Sequence, residues 1–193
     1  LYLQGGPGFP APRPLAPTGL IGKALERYRV ILMDQRGTGR SHRIDALSPA
    51  AERTAAHLAL LRQDNIVRDA ERLREHLGLE KWSLFGQSFG GFCITAYLSQ
   101  APERVEHAFF TGGIPTLKRA DDLYRATFSK LRARQQRFYR EFPWAQGRIE
   151  EIISHLDNSD ERLPTGERLS ALRFRTIGIE LGRGTGFDSL AYL

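Results

Sequence analysis

The chain has 193 residues, 41% of them hydrophobic and 26% charged, with a formal net charge of +6 at pH 7. These proportions fit a folded globular protein of one domain, or one domain and part of another, and argue against a disordered or fibrous chain. No apolar run is long enough to cross a bilayer, and the single cysteine, Cys93, excludes an internal disulfide and a cysteine-rich metal site.

Arginine far outnumbers lysine. Such a charge can serve an acidic partner such as nucleic acid. The arginines are scattered, however, and aromatic residues do not alternate with them as in a base-stacking platform. The expectation is therefore an arginine-rich surface, with neither nucleic acid nor membrane as partner. The chain opens at Leu1 without a Met, already inside a strand-like run, and ends at Ala191-Tyr192-Leu193 with no stop signal. It reads as a fragment cut at both ends. No secretory signal is visible at this start, which need not be the natural one; the expected compartment is the cytoplasm.

Leu1 to Gln4 has the character of the end of a buried strand. It runs into Gly5-Gly6-Pro7-Gly8 and then Phe9-Pro10-Ala11-Pro12, where neither helix nor central strand can persist, so this stretch is a loop. Leu20 to Tyr28 suits a short helix. Arg29 to Met33 is a continuous apolar run, as expected of a strand covered on both faces. It ends in Asp34-Gln35-Arg36-Gly37-Thr38-Gly39-Arg40-Ser41. That turn lacks the lysine and spacing of a phosphate loop. Asp34 and Arg36 are expected to be structural, each satisfying loop amides or a neighbouring charge. Ala50 to Leu61 has helical composition. Gln63 to Leu77 is a clearer helix, with Asp64 as N-cap, Ile66, Val67, Ala70, Leu73 and Leu77 on one face, and Gly78 as its stop.

Lys81 to Phe85 reads as a short strand and Phe92 to Leu98 as a buried helix. Between them lies Gly86-Gln87-Ser88-Phe89-Gly90-Gly91. A serine between glycines at a strand-to-helix junction is the nucleophile-elbow pattern. The turn strains the serine backbone, and Gly86 and Gly90 admit the close passage of strand and helix. Ser88 then sits at a helix N-terminus, where amides and dipole favour an oxyanion. Beside such an elbow, the loop at Gly5 becomes the natural second half of an oxyanion hole. Cys93 has the character of a small core residue. After a stop at Ala101-Pro102, Val105 to Thr111 is the next strand, ended by Gly112-Gly113-Ile114-Pro115.

Alternating strands and helices of this order predict an α/β fold with a doubly wound, mostly parallel sheet, and place all three Gly-rich turns at the carboxyl ends of strands, where ligands sit. The expected organisation is a partial α/β core over 1–116 and a helical segment over 117–193. In that segment, Asp121 to Tyr139, Ala145 to Leu156 and Glu167 to Leu181 read as helices, separated by Pro143, Pro164, Gly182, Gly184 and Gly186. A helical insertion after a late strand suits a cap over the site.

Three motifs in this order resemble one family. Leu3-Gln4-Gly5-Gly6-Pro7-Gly8 resembles the HGGPG loop of proline iminopeptidases of the α/β-hydrolase fold, with Gln4 where the shorter members carry His. Asp34 to Ser41 resembles their DQRGxGxS turn, and Gly86 to Gly91 their elbow. Asp64 to Glu71 is similar to the helix before the elbow in the larger bacterial members. The resemblance implies a serine aminopeptidase that releases an N-terminal residue, preferably proline, from peptides without metal or organic cofactor. Ser88 would form the acyl-enzyme, and the amides of Phe89 and of Gly5 or Gly6 would hold the oxyanion.

Chain order in this fold is Ser, then acid, then His. His42, His57 and His76 precede Ser88, His107 falls inside a strand and His155 inside a cap helix. The triad Asp and His are therefore expected beyond Leu193, and the fragment alone is expected to be inactive. Cap carboxylates are expected to bind the substrate amine; Glu180, Asp188, Asp121 and Glu150 lie in the right region, and none aligns with a family motif. The oligomeric state is not legible. Two other readings share the fold: an esterase or lipase, and a non-catalytic binding protein.

Overall fold

A computed structural model describes all 193 residues. It divides into two compact units, Leu1–Thr116 and Leu117–Leu193.

The first unit is built on a parallel sheet of β1 (Tyr2–Leu3), β2 (Trp82–Gln87) and β3 (Val105–Thr111), in the order β1-β2-β3. Tyr2 is opposite Phe85 and Leu3 opposite Gly86, while Phe85, Gly86 and Gln87 are opposite Phe109, Phe110 and Thr111. Parallel neighbours require crossovers. Here α1 (Gly19–Leu25), α2 (Ala55–Ala59) and α3 (Gln63–His76) lie between β1 and β2, and α4 (Phe89–Gln100) joins β2 to β3. The α/β class expected from the alternation is the class observed.

The core follows the pleat. Trp82 and Leu84 of β2 are buried together with Leu3, with Ile66, Val67 and Ala70 of α3, and with Cys93, Ile94 and Tyr97 of α4. Ala108 and Phe110 of β3 pack against the same core. The alternate residues face the other way: Tyr2 stacks on Phe85 with ring centroids 5.4 Å apart, and Phe109 is 46% exposed. That second face and α1 line an open apolar groove of about 820 Å³.

One polar chain crosses the core. Arg74, 4% exposed, pairs with Glu71 and donates to the carbonyls of Leu79 and Glu80. Tyr97 donates to Glu71, and Trp82 Nε1 donates to the Tyr97 hydroxyl at 3.0 Å. Each polar group of this network thereby has a partner, the condition for keeping it out of water. The Arg74 hydrogen bonds hold the Glu71 carboxyl below its usual range against the effect of burial.

Several elements differ from expectation. Arg29 to Met33 forms no regular strand; Leu32 makes an isolated parallel bridge with Tyr2, and the Tyr2 amide bonds Ile31 at 2.9 Å. Its partner in that bridge, β1, is two residues long. The stretch from Ala50 splits into a 3₁₀ turn, Ala50–Arg53, and α2, because Thr54 is extended and caps α2 through the amide of His57. The N-cap of α3 is Arg62, not Asp64. Asp64 lies in the first turn, where its charge still complements the helix dipole. Gly78 at φ +66° ends α3 as expected, with its amide on Glu75 and that of Leu79 on Arg74, a Schellman closure.

The second unit holds α5 (Ala120–Glu141), α6 (Ala145–Asp157), α7 (Ala171–Arg175) and α8 (Gly186–Ala191). Phe138, Ala145 and Leu181 form its core, with Tyr139, Phe142, Phe187 and Leu190 around them. The expected helix Glu167 to Leu181 is broken. Arg168 bridges to Arg162, Ser170 caps α7, and Thr176–Gly182 tightens into a 3₁₀ helix. Gly186, expected to separate helices, begins one: a Cβ there would stand 1.6 Å from the carbonyl oxygen of Glu180.

Candidate active site

The end of β2 delivers Ser88 into a conformation that few non-glycine residues adopt, φ 53° and ψ −115°. Three backbone segments hold it there. On its own element, a Cβ at Gly86 would lie 2.4 Å from the carbonyl oxygen of Gly90, so strand and helix do pass at the distance only glycine allows. On the β1 side, a Cβ at Gly90 would lie 1.9 Å from the carbonyl oxygen of Leu3. The second elbow glycine therefore makes room for the end of β1 rather than for the elbow strand. On the β3 side, the Ser88 amide donates to Thr111 at 3.0 Å, and a Cβ at Gly113 would meet the Ser88 carbonyl oxygen at 1.7 Å.

This last contact is one that sequence reasoning missed. Gly112 and Gly113 stand in the sequence as the terminator of a strand, whereas Gly113 is packed on the serine itself. The signal was available: a glycine pair at the end of the strand adjacent to an elbow lies at the same carboxyl end of a parallel sheet.

Gly5 closes against the serine from the other side. A Cβ there would lie 2.8 Å from the Gln87 carbonyl oxygen and 3.0 Å from Ser88 Cβ. Gly6, at φ +125°, is exposed, and a Cβ there would meet Gly8 and Phe9 instead. The amides of Gly5, Gly6 and Phe89 donate to nothing within the chain. Phe89 opens α4, so its free amide is one of the helix's unsatisfied donors. The structure thus brings Ser88, Phe89, Gly86, Gly90 and Gly5 together, with unpaired N–H groups beside an exposed hydroxyl. Such an arrangement can stabilise negative charge on an oxygen bonded to the serine-attacked carbon.

The turn after Met33 supports the loop at Gly5. Asp34 accepts from the Ala11 amide at 2.9 Å and the Arg40 amide at 2.9 Å, and it pairs with Arg13 at 3.1 Å. Burial alone would raise the Asp34 carboxyl, but those amides and the Arg13 guanidinium outweigh it and hold it below the ordinary range. Arg36 binds Asp69 through two 2.7 Å hydrogen bonds and the Leu60 carbonyl through a third. Both residues have the structural roles expected of them.

No histidine is positioned by a bond to Ser88. His42 pairs with Glu52 at 3.0 Å and His155 with Glu161 at 3.0 Å. His107 lies four residues before the end of β3, about 13 Å back along the strand from Thr111. Cys93 is fully buried, and burial pushes its thiol up to about 12, which suits a core residue and not a nucleophile. Among the acids of the second unit, Glu180 pairs with Arg183 at 2.7 Å and Glu150 accepts from Gln146 at 3.0 Å, while Asp121 and Asp188 stand in the first turns of α5 and α8. The large apolar groove contains none of the groups around Ser88 and is a feature of the opposite sheet face.

No helix of the chain is long and apolar enough to cross a membrane. The model of the alpha/beta hydrolase fold family matches residues 1–192. A proline iminopeptidase of Aeromonas sobria is 46% identical over 200 aligned residues, which take in 100% of this chain and 47% of the relative. A proline iminopeptidase of Aspergillus aculeatus is 36% identical over 199, covering 97% of this chain and 44% of its own. A proline iminopeptidase of Neisseria gonorrhoeae is 35% identical over 112, covering 58% and 31%. The chain spans about half the length, or less, of the curated relatives it matches.

Proposed function

Because the chain belongs to the α/β-hydrolase fold family, we propose that it is the nucleophile-bearing part of a serine aminopeptidase that releases an N-terminal residue, preferably proline, from peptides. The observation that carries this reading is the junction at Ser88: a strained, exposed serine with the free amides of Phe89 and Gly5 beside it. The names of the relatives support the choice of substrate over that of an esterase or lipase.

In the proposed reaction, Ser88 Oγ attacks the carbonyl carbon of the N-terminal residue as a base removes its proton. The oxygen of the tetrahedral intermediate takes up the negative charge and accepts hydrogen bonds from the amides of Phe89 and Gly5, with Gly6 as the further donor in the loop. Each such donor contributes about 3–4 kcal/mol of transition-state stabilisation. The C–N bond then breaks, the proton passes to the leaving amine, and water hydrolyses the acyl-enzyme by the reverse route. We assign the base and its acid partner to sequence outside these 193 residues. The supports are the histidine positions above and the share of the relatives that this chain spans. The helical unit is assigned the role of cap from its place in the chain order, with peptides as partners and the cytoplasm as setting.

The test is a comparison of proline arylamide with short-chain nitrophenyl esters, using the full-length protein and its Ser88→Ala variant. Proline arylamide turnover that Ser88→Ala abolishes is the expected result, with the 193-residue chain inactive alone. Ester turnover without arylamide turnover would reassign the enzyme as an esterase, and activity indifferent to Ser88→Ala would end the proposal.

A further inference from the structure

We propose that Gln35 is a positioning residue of the oxyanion hole, fixing the Gly5 amide by gripping the other end of the same peptide unit. This rests on the assignment of Ser88 as nucleophile. Gln35 is only 3% exposed, and its Nε2 donates to the carbonyl oxygen of Gln4 at 3.0 Å. The Gln4–Gly5 peptide is planar, so its C=O and the Gly5 N–H point in opposite directions. Whatever fixes the one fixes the other. Glycine supplies no steric restraint of its own, and without a partner on the carbonyl this peptide could rotate.

The same turn holds the far end of the loop. Asp34, the residue before Gln35, accepts from the amide of Ala11. Between these two grips, Gly6 to Pro10 is exposed. Gln35 is itself held: its carbonyl accepts from the amide of Thr38 at 3.0 Å and from the Thr38 hydroxyl at 2.7 Å, and Thr38 is 4% exposed. The Asp34 to Ser41 turn therefore acts as a two-point clamp on the oxyanion loop, with its buried glutamine at the catalytic end. A turn that merely shaped the rim of the site would not need a buried amide aimed at the peptide next to the serine.

Two variants of the full-length protein test this. Gln35→Met keeps the length and removes the donor. It should lower kcat about 10- to 100-fold, less than deletion of an oxyanion donor because the amide is displaced rather than lost, with KM changed by no more than about threefold. Amide exchange over residues 4–11 should accelerate while the helices keep their protection. Gln35→Glu places a carboxyl against the Gln4 carbonyl. Ionised, it repels; protonated, its O–H can donate in place of the amide. Its activity relative to the native protein should therefore recover as pH falls, a dependence that a packing role would not produce.

Both proline arylamide and a nitrophenyl ester serve as substrates, since the oxyanion hole is common to both. A native protein active only on the ester would refute the proline assignment and leave the clamp measurable. A native protein active on neither would refute the hydrolase reading, and loop exchange alone would then decide the clamp. Gln35→Met with unaltered loop exchange, or with kcat within about twofold of native in an active enzyme, would overturn the inference. So would a pH-independent activity ratio for Gln35→Glu.

Discussion

Replacing Ser88 with glycine should stabilise the protein while removing the proposed nucleophile. The serine backbone at φ 53° and ψ −115° lies outside the regions open to residues with a Cβ. Holding a residue in such a region costs about 1–3 kcal/mol. Glycine adopts the mirror-image conformations freely, so the substitution relieves that strain. It also removes a Cβ that lies against Gly5. Glycine is more flexible in the unfolded chain, which offsets the gain by about 0.5–1 kcal/mol. The net expectation is a gain of about 1 kcal/mol. Ser88→Ala is the control, because alanine keeps the Cβ and hence the strain; it should stay within about 0.5 kcal/mol of the native protein. Urea unfolding reads the difference. With a slope of about 2 kcal/mol per M, Ser88→Gly should unfold at a midpoint about 0.5 M higher than Ser88→Ala. A glycine variant that unfolds at or below the alanine midpoint, with the slope unchanged, would show that the elbow backbone is not strained.

The glycines after β3 offer a paired test. Gly112 and Gly113 share φ +73°, but a Cβ at Gly112 meets nothing within 4 Å, whereas one at Gly113 would collide with the Ser88 carbonyl. Gly112→Ala should cost about 1 kcal/mol, and Gly113→Ala at least about 2 kcal/mol more, with slower fluorophosphonate labelling of Ser88; equal costs and equal labelling rates would dismiss the contact. Asp34 gives a pH dependence. Its carboxyl is held below the ordinary range in the folded protein, so its contribution is complete above the unfolded value of about 4 and is lost as pH falls through the folded value. Asp34→Asn should therefore destabilise by about 2 kcal/mol near neutrality, through loss of charge-assisted bonds to Ala11 and Arg40, and the gap to the native protein should close on acidification. A gap that widens as pH falls would reverse the assignment.

The parts of the fold that were legible from sequence are those set by local chemistry. Gly78 closes α3 because no other residue adopts its φ so readily, and β3 has the predicted boundaries because Pro102 and Gly112 bracket it. The serine between glycines announced its own geometry. What escaped depends on partners distant in sequence. Arg74 falls on the buried face of α3 because Glu71 and two carbonyls wait for it there, and no periodicity announces a buried arginine. The apolar run at Arg29 to Met33 has the composition of a strand, but the two-residue β1 offers it one bridge. Arg62 caps α3 through its backbone conformation alone, so a rule based on side-chain acceptors passes over it. Gly113 looked like punctuation because its contact is with the Ser88 carbonyl, just past the end of the neighbouring strand.

The three-sided grip on Ser88 also makes its geometry depend on long-range structure. The strained backbone is held by Gly5 and Leu3 on one side and by Thr111 and Gly113 on the other. Both sets of contacts come from segments outside the elbow itself. Separation of either flanking segment would remove part of that restraint and let the turn relax toward an ordinary conformation. The backbone angles of Ser88 therefore report whether the sheet around it is closed.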